Sequence, residues 1–277
     1  MTDESPGRIA RLAKEFHQHL PIASTTSCTP HVADFSPELF QYSTLEALLG
    51  GVYDGEVTVG ELLTHGDFGL GTFNSLDGEM IILGGVCYQL RSDGSARVAS
   101  DTEQTPFAAV THFRPQSTSV VDTPMTYHQL DSLVSEHIPS PNLTYAIQIT
   151  GHFSTVRTRT VARQVKPYPS LAEAAQGQAE ATFTDIEGTL AGYLSPSYEQ
   201  GITVAGYHLH FLNRDHTLGG HCLDFTLTTG AVEIETITAL HLSFPRSGAF
   251  LTTPMPAGAA VDQQIRKAEG GGSSPGS

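Results

Sequence analysis

The sequence predicts an α+β protein of two domains built on mixed β-sheets with few short helices, and three observations carry that expectation. First, most apolar stretches alternate at a period of two or form short continuous blocks, as in EMIILGGVCYQL (79–90), LTYAIQITGHFSTVRTRTV (143–161) and AVEIETITAL (231–240). Second, 27 glycines, with pairs such as Gly84-Gly85 and Asp93-Gly94, punctuate those stretches as turns. Third, helical spacing is confined to a few short segments scattered between the strands.

The elements follow in order. In QYSTLEALLGG, Ser43 and Glu46 have the spacing of a capping box, Leu45, Leu48 and Leu49 form an apolar face, and Gly50 supplies a stop, which predicts a short helix. Thr58 to Glu61 repeats the box and begins another helical turn, after which GDFGLGT reads as glycine-rich turns. TYHQLDSLVSEHIP puts Tyr127, Leu130, Leu133 and Val134 on one face, with Pro139 just beyond, and is the clearest helix in the chain. A long strand or bent pair of strands over LTYAIQITGHFSTVRTRTV then ends at the Pro-Tyr-Pro break of 167–169. This organisation divides into an N-terminal helix and loop (1–38), a mixed-sheet domain (39–166), a second sheet domain carrying the candidate metal site (167–258), and a C-terminal segment with the flexible tail GGGSSPGS (259–277).

Composition removes several classes of function. With 29 acidic and 14 basic residues, the formal net charge of -15 opposes binding to phosphate backbones or anionic lipid, so neither nucleic acid nor membrane is expected as a partner. Cys28, Cys87 and Cys222 are odd in number and lack CxxC spacing, which argues against a disulfide framework and a thiolate metal site and favours a reducing compartment, taken as the cytoplasm. The N-terminal MTDESPGRIARLAKEFHQHL contains Asp3 and Glu4 and no continuous apolar run, so it is read as a short surface helix, not a secretory signal, although its basic amphipathic spacing faintly resembles an organelle presequence.

The chemistry-bearing pattern is GYHLHFLNRDHTLGGH, residues 206–221. On a strand, His208 and His210 project from one face, roughly 7 Å apart at ~3.3 Å per residue. Asn213, Arg214 and Asp215, followed by Gly219-Gly220, are turn formers, so the segment reads as a hairpin centred near Asp215 and His216. In that hairpin His210 and His221 are equidistant from the turn and lie opposite each other. Three imidazoles then converge, the donor set of a zinc or similar divalent site that keeps coordination positions open for chemistry. An HxH pair on a hairpin also suggests a cupin-like metal oxygenase, but the glutamate that pattern wants four to six residues later is replaced by Arg214, Asp215 and His216.

Two further features bear on a site. Glu79 follows the Asp77-Gly78 turn at the head of an apolar run, where a carboxyl can be drawn toward the core. Arg157 and Arg159 alternate on one strand face and can grip an anion through bidentate hydrogen bonds.

Together, FQYSTLEALL, HGDFGLGTFNSLDGEMI, TPFAAVTHF, RTVARQVKPYPSL and GYHLHFLNRDHTLGGH resemble the α-acetolactate decarboxylases over about residues 39 to 245, in order and without large gaps. The resemblance implies a two-domain α+β homodimer containing zinc, other divalent metals being possible, that converts 2-acetolactate to acetoin and carbon dioxide. It places the zinc ligands on His208, His210 and His221, an active-site glutamate on Glu79 and the arginine of the RTV motif on Arg159. A second glutamate, from a C-terminal segment that folds over the site, falls on Glu269 through a short Ala-Glu pair with a small insertion before it. On that reading, loss of carbon dioxide leaves a zinc-stabilised enediolate, Arg159 orients the carboxylate, and Glu79 or Glu269 delivers a proton. The alternative to an enzyme is a non-catalytic metal-binding or sensor protein on the same fold.

Overall fold

The computed structural model describes residues 37–246, 248–255 and 265. The predicted N-terminal helix and the Glu269 segment lie outside the described residues. The strands are, in chain order, β1 (Glu38–Tyr42), β2 (Val57–Thr58), β3 (Phe68–Thr72), β4 (Glu79–Leu83), β5 (Val86–Leu90), β6 (Ala96–Val98), β7 (Gln104–Thr105), β8 (Phe107–Thr111), β9 (Ser117–Val121), β10 (Met125–Thr126), β11 (Thr144–Thr160), β12 (Ala179–Ser195), β13 (Gly206–Asn213), β14 (Gly219–Ile237) and β15 (Ala239–Ser243). One sheet has the order β15-β1-β8-β3-β4-β5-β6 and is mixed, since β15 runs parallel to β1 while the other neighbours are antiparallel. The other has the order β10-β14-β11-β12-β13, with β9 on β14. Because β13 pairs with both β12 and β14, this second sheet curls until its strands complete a circuit. Only short helices join the strands, as the patterning predicts.

Period-two alternation explains the layering. On β8, Phe107 and Ala109 face the core between the sheets, while Ala108 and Val110 face a second cluster on the outer side. On β4, Ile81 points inward and Met80 and Ile82 outward, so runs such as EMIIL are apolar on both faces because both faces are covered. Across the gap, Ala146, Ala191, Tyr193 and Leu212 of the second sheet complete the inter-sheet core. The opposite face of that sheet packs Tyr145, Ile147 and Phe211 against Leu130 and Val134 of the helix Tyr127–Ser135.

Three local expectations change. Thr44, not Ser43, caps the helix Leu45–Leu49: its hydroxyl accepts from the Ala47 N–H, whereas Ser43 takes a left-handed backbone, φ 66°, and donates its N–H to Ser243. GDFGLGT is not a string of turns, since Phe68–Thr72 is a central buried strand. A Cβ on Gly69 would lie 2.2 Å from the Ala109 carbonyl oxygen, so glycine there permits close pairing with β8. Finally, the change of sheet precedes the Pro-Tyr-Pro break. β11 already belongs to the second sheet, and β15 carries the chain back to the first, because pairing partners far apart in sequence decide sheet membership.

Candidate active site

Residues of even number on β13 face the inter-sheet space, as Leu212 does in the core there. His208 and His210 therefore turn toward the first sheet, and the hairpin pairs His210 directly with His221. The turn is closed by Asn213, whose Oδ1 accepts the N–H groups of Thr217 and Leu218, both at 2.8 Å, while His216 takes a left-handed backbone, φ 57°. The three imidazoles are buried, their ring centroids are 5.1–5.3 Å apart, and one ring nitrogen from each lies within 4.8 Å of the others.

The electrostatics suit a cation. His210 donates its Nδ1–H to the Met80 carbonyl at 2.7 Å, which fixes the tautomer and leaves Nε2 with its lone pair. His208 Nδ1 is buried with no hydrogen-bond partner among the described residues. Burial, with the Arg159 charge nearby, lowers the His208 pKa to about 3, so this imidazole is neutral and available as a ligand at physiological pH. Three buried, convergent nitrogen donors fit a divalent ion, and His208, His210 and His221 are the residues that would hold it.

Glu79 begins β4 beside Met80, so the strand that supplies the carbonyl for His210 also brings a carboxylate oxygen to 3.9 Å from His210 Nε2. Arg159 lies opposite His221 in the β11–β14 pairing, is 3% exposed, and donates from Nη1 to Gln178 Oε1 at 3.3 Å. A register shift between Arg157 and Thr158 breaks the simple alternation, and Arg157 stays exposed beside Asp224. Glu79, Arg159 and His208 line one pocket with Thr72 and an apolar wall that includes Leu45, Leu48 and Leu76. The structure thus brings together five of the six sequence-named residues, Glu269 lying outside the described residues. Sequence reasoning missed Thr72, Gln178, the Met80 carbonyl and the apolar wall. Backbone atoms and ordinary leucines carry no local chemical signal.

Other histidines have different partners. His65 stacks on Phe40, with ring centroids at 3.7 Å. His152 pairs with Asp185 at 2.9 Å, and His216 Nδ1 meets the Tyr88 hydroxyl at 2.9 Å.

A sheltered pocket that gathers an imidazole, a carboxyl group and a guanidinium between a mixed and an antiparallel sheet has the makings of an enzyme site for a small molecule. The relatives give its class. Residues 39–256 match the family described as alpha-acetolactate decarboxylase, and the chain belongs to that family of carboxy-lyases. The alpha-acetolactate decarboxylase of Methylococcus capsulatus is 48% identical over 232 residues, 84% of this chain and 88% of that protein. The one from Bacillus subtilis is 42% identical over 213 residues, 77% of this chain and 84% of its own. A crystal structure of alpha-acetolactate decarboxylase from Bacillus subtilis strain 168 superposes with a TM-score of 0.82 at 39% identity, covering 84% of this chain and 99% of that one. No helix among the described residues is long and apolar enough to cross a membrane.

Proposed function

We propose that this chain decarboxylates 2-acetolactate to acetoin and carbon dioxide, with His208, His210 and His221 holding a divalent ion, zinc by the character of the donors. The observation that carries this reading is the convergence of three buried imidazoles, one of which, His208, lines a pocket with Glu79 and Arg159. Family membership supplies the substrate, and the pocket supplies groups that suit it.

When bound, such an ion supplies Lewis-acid polarisation of the substrate's hydroxyl and keto oxygens. The protein's own groups do the rest. Arg159, rigid in a β-strand and steadied by Gln178, holds the carboxylate through charge-assisted hydrogen bonds and so orients the bond that breaks. The pair of electrons released with carbon dioxide moves into the neighbouring carbonyl, and a proton must then reach the carbon that lost the carboxylate. Glu79, 13% exposed in its side chain, stands at the pocket to deliver that proton to one face. Glu269 is the second candidate for this transfer. Apolar walls exclude water, which strengthens each of these interactions. The proposal extends to a homodimer in the cytoplasm, where the buried thiols Cys87 and Cys222 remain reduced.

Two substitutions test the roles separately. His208→Ala should lose both bound metal and turnover. Arg159→Ala should retain metal and lose turnover. Full activity in either variant overturns the assignment.

A further inference from the structure

Glu79 is the first residue of β4, so the place of its carboxyl depends on how the Asp77-Gly78 turn enters that strand. The carbonyl groups of that turn are gripped from both flanks. On one side the Thr72 hydroxyl of β3 donates to the Gly78 carbonyl at 2.8 Å, and Thr72 is also the register partner of Glu79. On the other, Gln89 of β5 donates from Nε2 to the Asp77 carbonyl at 2.5 Å. Its Oε1 in turn accepts from Arg91 Nε at 3.2 Å, so both ends of the amide are engaged and its orientation is determined. Gly78 takes φ 86°, and a Cβ there would lie 2.3 Å from the Leu90 carbonyl oxygen, so the turn is pressed closely against β5.

Gln89 is 1% exposed, yet its side chain stands away from the pocket. Its neighbours Tyr88 and Leu90 belong to the core between the sheets and Cys87 to the cluster on the outer side, so by alternation Gln89 lies on the outer face. Glu79, in step with Ile81, faces the inter-sheet side and lines the pocket with Arg159 and His208. The amide can therefore reach the chemistry only through the backbone.

We propose that Gln89 is a positioning residue for Glu79: by holding the Asp77 carbonyl it fixes the entry of β4 and sets the carboxyl in the pocket for proton transfer. This inference rests on the reading of Glu79 as the group that protonates the decarboxylated substrate. Two physical points favour it. The side chains that share the outer face, Met80, Ile82 and Cys87, are apolar, and a buried amide among them is unfavourable unless its hydrogen bonds are made. The pairing of β4 with β3 and β5 begins only at Glu79, so the two carbonyls just before it take their hold from the side chains of Gln89 and Thr72.

The test measures kcat, KM and the enantiomeric excess of the acetoin released from racemic 2-acetolactate. Parent enzyme, Gln89→Met and Cys87→Ala are assayed metal-loaded, with metal content and thermal melting measured on each. Methionine keeps the length of the side chain but cannot donate to the Asp77 carbonyl. Cys87→Ala loosens the same face of the same strand without touching the turn, and so reports what lost stability alone does. Gln89→Met should hold its full metal, keep KM within about twofold, lose kcat by about tenfold or more and release acetoin of lower enantiomeric excess, because a displaced acid serves neither rate nor face. Cys87→Ala should keep the parent kcat and excess. If Gln89→Met fails to fold, Arg91→Ala, at an exposed site, frees the far end of the amide and should lower kcat by about twofold or more at parent KM. Parent kcat in folded, metal-loaded Gln89→Met, or in Arg91→Ala where that stands in for it, overturns the inference, as does an equal loss in Cys87→Ala, and each leaves the functional reading intact. A fully metal-loaded parent that does not turn over 2-acetolactate overturns the functional reading, and the inference with it.

Discussion

Gly192 on β12 provides a severe test of how the metal hairpin is held. Leu209 is its register partner on β13, and a Cβ on Gly192 would sit 1.9 Å from the carbonyl oxygen of His208 and 2.9 Å from Leu70 Cδ2. Real Cβ contacts essentially never fall under 3.0 Å, so from 1.9 Å the two strands must separate by 1.1 Å or more at His208. Neither atom of the worst contact belongs to a flexible side chain, which removes the easy route of relaxation. Overpacking of this kind costs about 1–3 kcal/mol. For a domain of this size each kcal/mol lowers the melting temperature by about 2–4 °C, giving a fall of about 2–12 °C. A displacement near 1 Å also misplaces an imidazole, and such errors cost about a hundredfold in turnover. Gly192→Ala should therefore melt earlier, hold its metal more weakly in equilibrium dialysis, and lose activity out of proportion to its loss of folded protein. A variant with parent metal affinity and parent kcat would show that the β12–β13 spacing does not set the geometry of His208.

Other consequences are more local. Tyr88→Phe removes the hydroxyl that meets His216 Nδ1 at the tip of the metal hairpin, and should cost about 0.5–1.5 kcal/mol in denaturant unfolding and speed metal loss to a chelator. Unchanged metal release would confine that contact to stability. Glu235, 2% exposed, has its pKa raised first by burial and further by Asp67, against the opposing Arg114 N–H and charge. The folded state thus favours the protonated acid, so stability falls as pH rises through and above the ordinary value of 4.5. Glu235→Gln should raise the melting temperature at pH 7 with a gain that shrinks toward pH 4, and a gain independent of pH would refute the cause. Removing metal should lower the melting temperature of the parent, by about 2.7 kcal/mol of linkage where free metal stood at a hundred times its dissociation constant, and should leave His208→Ala unmoved.

How much of this was legible beforehand depends on sequence distance. The metal hairpin was readable because both strands and their turn fall within sixteen residues, and period two plus equidistance from the turn determines the pairing of His210 with His221. The helix Tyr127–Ser135 was equally plain from its apolar face and from Pro139 beyond its end. Local pattern raised Glu79 and the pair Arg157 and Arg159 as candidates, but only the family resemblance gave Glu79 and Arg159 their roles. Their meeting depends on β4 approaching β13 across the inter-sheet core and on β11 pairing with β14, contacts that no local pattern encodes. Arg157 shows the limit of simple alternation, because a shift in register after it leaves it in solvent while Arg159 is buried. Ser43 shows the same limit for caps: its spacing to Glu46 suits a box, but a tie to Ser243, two hundred residues away, claims its backbone and moves the cap to Thr44. Leu76 left no trace, since a leucine in left-handed backbone, next to a Ser75 tied to Tyr53, Gln164 and Tyr168, looks in sequence like any core residue.

The central claim is that three histidines hold an ion on which decarboxylation depends. Its most direct test is acetoin and carbon dioxide release from racemic 2-acetolactate by the purified chain, before chelation, after chelation and after zinc is restored. The account predicts activity that disappears with the chelator and returns with zinc in proportion to metal bound. Turnover undiminished in metal-free protein, or none in protein with the site full, would contradict it.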